Sequence, residues 1–91
     1  MEEIVLDITP FEEKISLHSY LKDQLGFPFY YGANLDALYD ELTSIGQPMQ
    51  ITLLYNDHPI TGHERYIPRM VEVFQAAERD NYNINLTIRE S

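Results

Sequence analysis

A chain of 91 residues holds one small domain, spanning residues 1–91 and built around a single core. The absence of cysteine excludes disulfides, thiolate metal ligands and a thiol nucleophile. Fifteen Asp and Glu against six Lys and Arg give a formal charge of −9, which argues against direct nucleic-acid binding and for a basic protein as partner.

The six cations (Lys14, Lys22, Arg65, Arg69, Arg79 and Arg89) are scattered, and only Arg65 and Arg69 make a close helical pair. No apolar run approaches the roughly 20 residues of a membrane span. The opening Met1-Glu2-Glu3 lacks the basic segment and apolar run of a secretory leader. The expectation is a cytoplasmic protein that does not enter membranes and is monomeric when free.

Ile4 to Ile8 reads as a short buried strand, turned at Thr9-Pro10. Ser16 is the predicted cap of a first helix whose apolar face is Leu17, Tyr20, Leu21 and Leu25 and whose end is Gly26. Phe11 and Ile15 are expected to pack just before that helix. Phe27-Pro28-Phe29-Tyr30-Tyr31-Gly32 is an aromatic loop, apolar enough that it must pack against something. Asn34 is the predicted cap of a second helix, with Leu35, Leu38, Leu42 and Ile45 inward. Gly46-Gln47-Pro48 closes that segment.

Met49 to Tyr55 is the second predicted strand and Asn56-Asp57-His58-Pro59 a turn. The stretch Ile60 to Glu64 reads equally as loop or as one weak turn. A third helix is predicted from about Glu64 to Asp80, with Ile67, Met70, Val71, Phe74 and Ala77 inward and Pro68 tolerated in its first turn. Asn81-Tyr82-Asn83 is a break. Ile84 to Ile88 alternates apolar and polar and reads as a last strand in a less buried position. The order strand, helix, helix, strand, helix, strand predicts an α/β fold with a small three-stranded parallel sheet packed by helices.

Chemistry-bearing patterns are few. His58 and His63 with Asp57 and Glu64 match no compact metal-ligand spacing, and His18 reads as a surface or hydrogen-bonded boundary residue. Neither a serine-centred elbow nor a phosphate-cradling glycine loop occurs. The expectation is therefore a non-enzyme with no metal and no cofactor. The second helix stands out, because Asp36, Tyr39, Asp40 and Thr43 recur at helical spacing on a face apart from the leucines. Two carboxylates, a phenol and a hydroxyl there suit a positively charged partner surface.

The segment Tyr30-Tyr31-Gly32-x-Asn34-Leu35-Asp36-Ala37-Leu38-x-Asp40, followed by x-Leu42-Thr43, resembles the barstar family, small intracellular inhibitors of barnase-type ribonucleases. Weaker similarity flanks it, in Leu17-His18-x-x-Leu21-Lys22-x-x-Leu25, in Val73-Phe74 with Ala77, and in Ile84 with Ile88. The resemblance implies a barstar-like fold and stoichiometric inhibition, with the second helix and preceding loop entering the ribonuclease phosphate site. Residue by residue it implies that Asp40 meets the enzyme's cationic centre and Asp36 is a second interface carboxylate. By the same resemblance Tyr30 packs near the catalytic histidine, Asn34 caps and touches the interface, and Thr43 is a rim hydroxyl. Gly32 would allow close approach or unusual backbone angles.

The chain departs from the best-known members at Tyr39, where they carry tryptophan, at Ser44-Ile45, where they carry Gly-Trp, and at Ala76, where they carry a glutamate. The alternative function is an acidic interaction module for a basic partner that is not a ribonuclease.

Overall fold

The computed structural model describes residues 2–91. Six elements follow in chain order: β1 (Glu2–Asp7), α1 (Lys14–Leu25), α2 (Leu35–Thr43), β2 (Met49–Tyr55), α3 (Tyr66–Asp80) and β3 (Ile84–Glu90). The strands form one parallel sheet in the order β1-β2-β3. Ile4 lies opposite Ile51 and Leu6 opposite Leu53, while Ile51 and Leu53 face Leu86 and Ile88 on the other side. The alternating Ile84–Glu90 segment is thus an edge strand, and β2 is central. Period-2 alternation puts Leu6, Ile51, Leu53 and Ile84 on one buried face, and Val5 on the other remains 57% exposed. The helices cover the first face with Leu17, Leu21, Leu38, Leu42, Ile67, Met70, Phe74 and Ala77.

The helix ends show where local rules held and where they were overridden. α1 begins at Lys14, two residues before the Ser16 cap expected from sequence. Its first backbone bond runs from Leu17 to the Glu13 carbonyl at 3.1 Å, and Glu13, with φ −126° and ψ 142°, is the cap residue without a capping side chain. The preceding backbone is held from afar, because Thr61 N–H donates to the Glu12 carbonyl at 2.8 Å. The early start turns Ile15 outward, 80% exposed, whereas Phe11 packs on Tyr20 with ring centroids 4.9 Å apart. At the other end Gly26 has φ 70° and returns its N–H to the Lys22 carbonyl, a left-handed termination that glycine adopts without Cβ strain.

α3 starts at Tyr66, and Pro68 falls in its first turn, where the missing N–H has no intrahelical partner. The stretch before it is a tight turn in which Ile60 bridges His63 around Gly62, at φ 81°. His58 is held by its ring nitrogens between Asn56 and the Phe11 carbonyl, and among the described residues no three His, Asp or Glu side chains group to hold a metal. Among the described residues no helix is long and apolar enough to cross a membrane.

Candidate partner-binding interface

Asn34 opens α2 as sequence requires. Its extended backbone (φ −143°, ψ 173°) lets the side-chain Oδ1 accept the Ala37 N–H at 2.7 Å, satisfying one of the helix's orphan donors. Asp36 lies in the first turn, where a carboxylate also complements the helix dipole. Leu38 and Leu42 are fully buried and Leu35 packs on the core more loosely, which fixes the rotation of the helix. That rotation leaves Asp36 and Asp40 exposed one turn apart. Among the described residues neither carboxylate has a salt-bridge or side-chain hydrogen-bond partner, and the one ion pair formed among those residues is Arg79–Asp80 at 3.2 Å.

Tyr39 and Thr43 are half-buried, more committed to the fold than their spacing implied. The Tyr39 hydroxyl donates to Asp80 Oδ2 on α3. Thr43 Oγ1 donates back to the Tyr39 carbonyl at 2.8 Å, so its proton stays within the helix. The Tyr39 bond holds the Asp80 carboxyl below the usual range, helped by Arg79, and the same bond pushes the Tyr39 phenol up. Sequence reasoning missed Asp80. It brings a third carboxylate, from 41 residues downstream, beside the acidic face of α2, and no local pattern announces such a pairing.

The aromatic loop divides in two. Phe27 and Tyr31 pack on each other with centroids 4.9 Å apart and lie against the core. Phe29 and Tyr30 contact each other edge to face at 5.5 Å but are 87% and 73% exposed, so the packing expected of the loop falls to Phe27 and Tyr31. The reason is a turn: Tyr31 N–H donates to the Pro28 carbonyl at 3.0 Å, placing Phe29 and Tyr30 at its tip. Gly32 does give close approach, since a Cβ there would stand 3.3 Å from the Ala37 Cβ. The positive backbone angle of this stretch belongs to Ala33, at φ 53°.

Tyr30, Asn34, Asp36, Tyr39 and Asp40 thus follow one another along the turn and the outer side of α2. The hollow of about 300 Å³ at His63, Glu64, Arg65, Tyr66 and Arg69 has no α2 residue in its lining. The exposed acidic side of α2 thus follows directly on a turn that carries two exposed aromatic rings.

Comparison with known proteins gives the family. A family profile described as Barstar (barnase inhibitor) matches residues 1–89. A Bacillus subtilis (strain 168) protein, YrdF, described as a candidate ribonuclease inhibitor, is 40% identical over 81 residues, covering 88% of this chain and 89% of that protein. The observed element order and parallel sheet are those implied by the barstar resemblance. The chain belongs to the barstar family, a family of inhibitors rather than enzymes, and is ribonuclease-inhibitor-like in general function.

Proposed function

We propose that this protein inhibits a barnase-type ribonuclease stoichiometrically, inside the cell that makes it, by filling the enzyme's phosphate-binding active site with α2 and the turn before it. The observation that carries the reading is the pair Asp36 and Asp40, exposed one turn apart with no cation of their own, on a chain of formal charge −9. A ribonuclease active site must gather cationic side chains to bind RNA phosphates. Two rigidly displayed carboxylates imitate the spacing of charge along such a backbone, and their helix is ordered before binding, which lowers the entropic cost of association.

In this reading Asp40 enters the cationic centre, Asp36 flanks it, and Tyr30 supplies a rigid aromatic contact. Asn34 shapes the helix entry and lies at the margin of the contact. Tyr39 presents the edge of its ring, because its hydroxyl is held by Asp80. Thr43 can offer its oxygen as an acceptor at the rim, since its proton is already donated to Tyr39.

Titrating barnase with the protein while following RNA cleavage tests the reading. Inhibition should saturate at one inhibitor per enzyme. Asp40→Ala should weaken affinity at least about a hundredfold, because it strands cationic partners in a desolvated site. Glu2→Ala, on the exposed start of β1, should leave affinity unchanged. Unaltered affinity in Asp40→Ala would refute the role given to that carboxylate.

A further inference from the structure

His18 lies at the centre of α1 with no accessible surface, a polar ring inside an apolar core. Burial of an imidazole is tolerable only when both ring nitrogens are hydrogen-bonded. Here Nδ1 meets the Tyr31 hydroxyl at 2.7 Å and Nε2 meets the Tyr66 hydroxyl at 2.5 Å. A neutral ring carries one proton, so one tyrosine donates to it and the other accepts from it. The three side chains come from α1, from the loop and from the first residue of α3. They are also packed ring to ring, His18 lying 5.8 Å from each tyrosine by centroid, and Lys14 covers the Tyr66 ring at 5.2 Å.

Tyr31 is the residue whose N–H closes the turn on the Pro28 carbonyl. The tip of that turn is Phe29 and Tyr30, which have no packing on the core of their own. Only Gly32 and Ala33 then separate Tyr31 from the cap of α2. Whatever fixes Tyr31 therefore fixes the direction of Tyr30 relative to Asp36 and Asp40. A loop with exposed side chains at its tip would otherwise sample many orientations, and ordering it would cost affinity on every encounter.

We propose that His18 is a positioning residue for partner binding, bracing Tyr31 against Tyr66 of α3 and thereby holding Tyr30 at the entrance to the acidic helix. The inference rests on Tyr30 being a partner contact. It adds that the order of this contact is set by a buried relay reaching across the fold to α3, and that Tyr66 acts on a loop other than its own through the imidazole.

The test uses Tyr31→Phe and Tyr66→Phe, each of which deletes one hydroxyl and keeps the ring. Native-state amide exchange should show Tyr31 and its neighbours in 28–33 exchanging roughly three- to tenfold faster in both variants, the range expected for loss of one hydrogen bond. Amides of β2 should follow global stability alone. Affinity for barnase should fall by a similar roughly three- to tenfold, mainly through faster dissociation. The losses in Tyr31→Phe and Tyr66→Phe should not add, because both break one relay. Tyr31→Phe should cost little more once Tyr30→Ala is present but its full effect beside Asp40→Ala.

Unchanged exchange in 28–33, or exchange that merely follows global stability, overturns the positioning role. So does full additivity of Tyr31→Phe with Tyr30→Ala. Failure of the parent protein to bind barnase would instead count against the functional reading, while the exchange measurement would still decide whether the relay orders the loop.

Discussion

At the scale of single residues, the buried His18 couples the fold to pH. Loss of hydration on burial, reinforced by the positive charge of Lys14, lowers its pKa from 6.5 to about 4. Between those values the unfolded chain binds a proton that the folded protein refuses, so stability rises with pH across that window. The contribution is fully present above about pH 6.5 and is lost as pH falls toward 4. At about 1.4 kcal/mol per pH unit, the gap corresponds to about 3 kcal/mol, a large share of what a domain of this size holds. With a neutral ring one tyrosine donates to His18 and the other accepts from it, whereas a protonated imidazole would donate to both hydroxyl oxygens. Urea unfolding of the parent and of His18→Gln at several pH values between 7 and 4 checks this. The parent should lose stability more steeply over that interval. Equal pH dependence in the two would show that His18 does not carry it. Carboxylates held below their usual range, such as Asp80 beside Tyr39 and Arg79, act on the acid side of the same profile, where protonation removes what they contribute.

At the scale of elements, the C-terminal end of α2 depends on the segment that follows α3. Asn81 is buried, and its side-chain amide donates to the Leu42 and Ile45 carbonyls, both at 3.0 Å, while its Oδ1 accepts the Asn83 N–H at 3.0 Å. Asn83 adds a bond to the Ile45 carbonyl at 3.1 Å. The Leu42 carbonyl also accepts the Ile45 N–H at 3.3 Å, so these bonds add to the end of α2 and fasten the backbone just beyond it. Asn81→Ala should therefore destabilise the protein by about 1–3 kcal/mol, the cost of removing two buried side-chain hydrogen bonds between α2 and the segment after α3. Its urea midpoint should fall with no change in slope, and a midpoint equal to the parent's would refute the assignment. From sequence the same residues read only as a break between helix and strand. The contrast marks what local pattern can convey. The apolar periodicities of Leu38 with Leu42 and of Ile67 through Ala77, the alternation of Ile84 to Ile88, the Asn34 cap and the Gly26 stop were all legible, because each is decided within a few residues. The acidic face of α2 was legible for the same reason. The early start of α1, the burial of His18, the Tyr39–Asp80 bond and the anchoring by Asn81 were not, because each depends on a partner many residues away in the chain. The resemblance allows Gly32 either close approach or an unusual backbone angle; the fold gives it the close approach and sets the positive φ at Ala33.

At the scale of the whole molecule, the relevant quantity is the field of a small, strongly acidic body. The radius of gyration is 12.2 Å and the formal charge −9. At about 0.01 M salt the screening length is roughly 30 Å, comparable with the protein's largest extent of 34 Å, so a basic enzyme meets the field of nearly all its charges at once. At about 0.15 M it shrinks to roughly 8 Å, and only groups close to the contact still act. Electrostatic steering should therefore show in association far more than in dissociation. Stopped-flow measurement with barnase should find the association rate falling about tenfold between those salt concentrations, with the dissociation rate changing less than about twofold. Position separates the acidic residues further. Glu2 contributes only to the distant field, so Glu2→Ala should lower the association rate slightly at low salt and leave dissociation alone. Asp40 lies on the face proposed to be buried, so Asp40→Ala should act chiefly by speeding dissociation, and should do so at both salt concentrations. An association rate indifferent to salt would remove the steering role of the net charge. A dissociation rate unchanged in Asp40→Ala would return that residue to the diffuse field and leave the phosphate-mimic face of α2 without its centre.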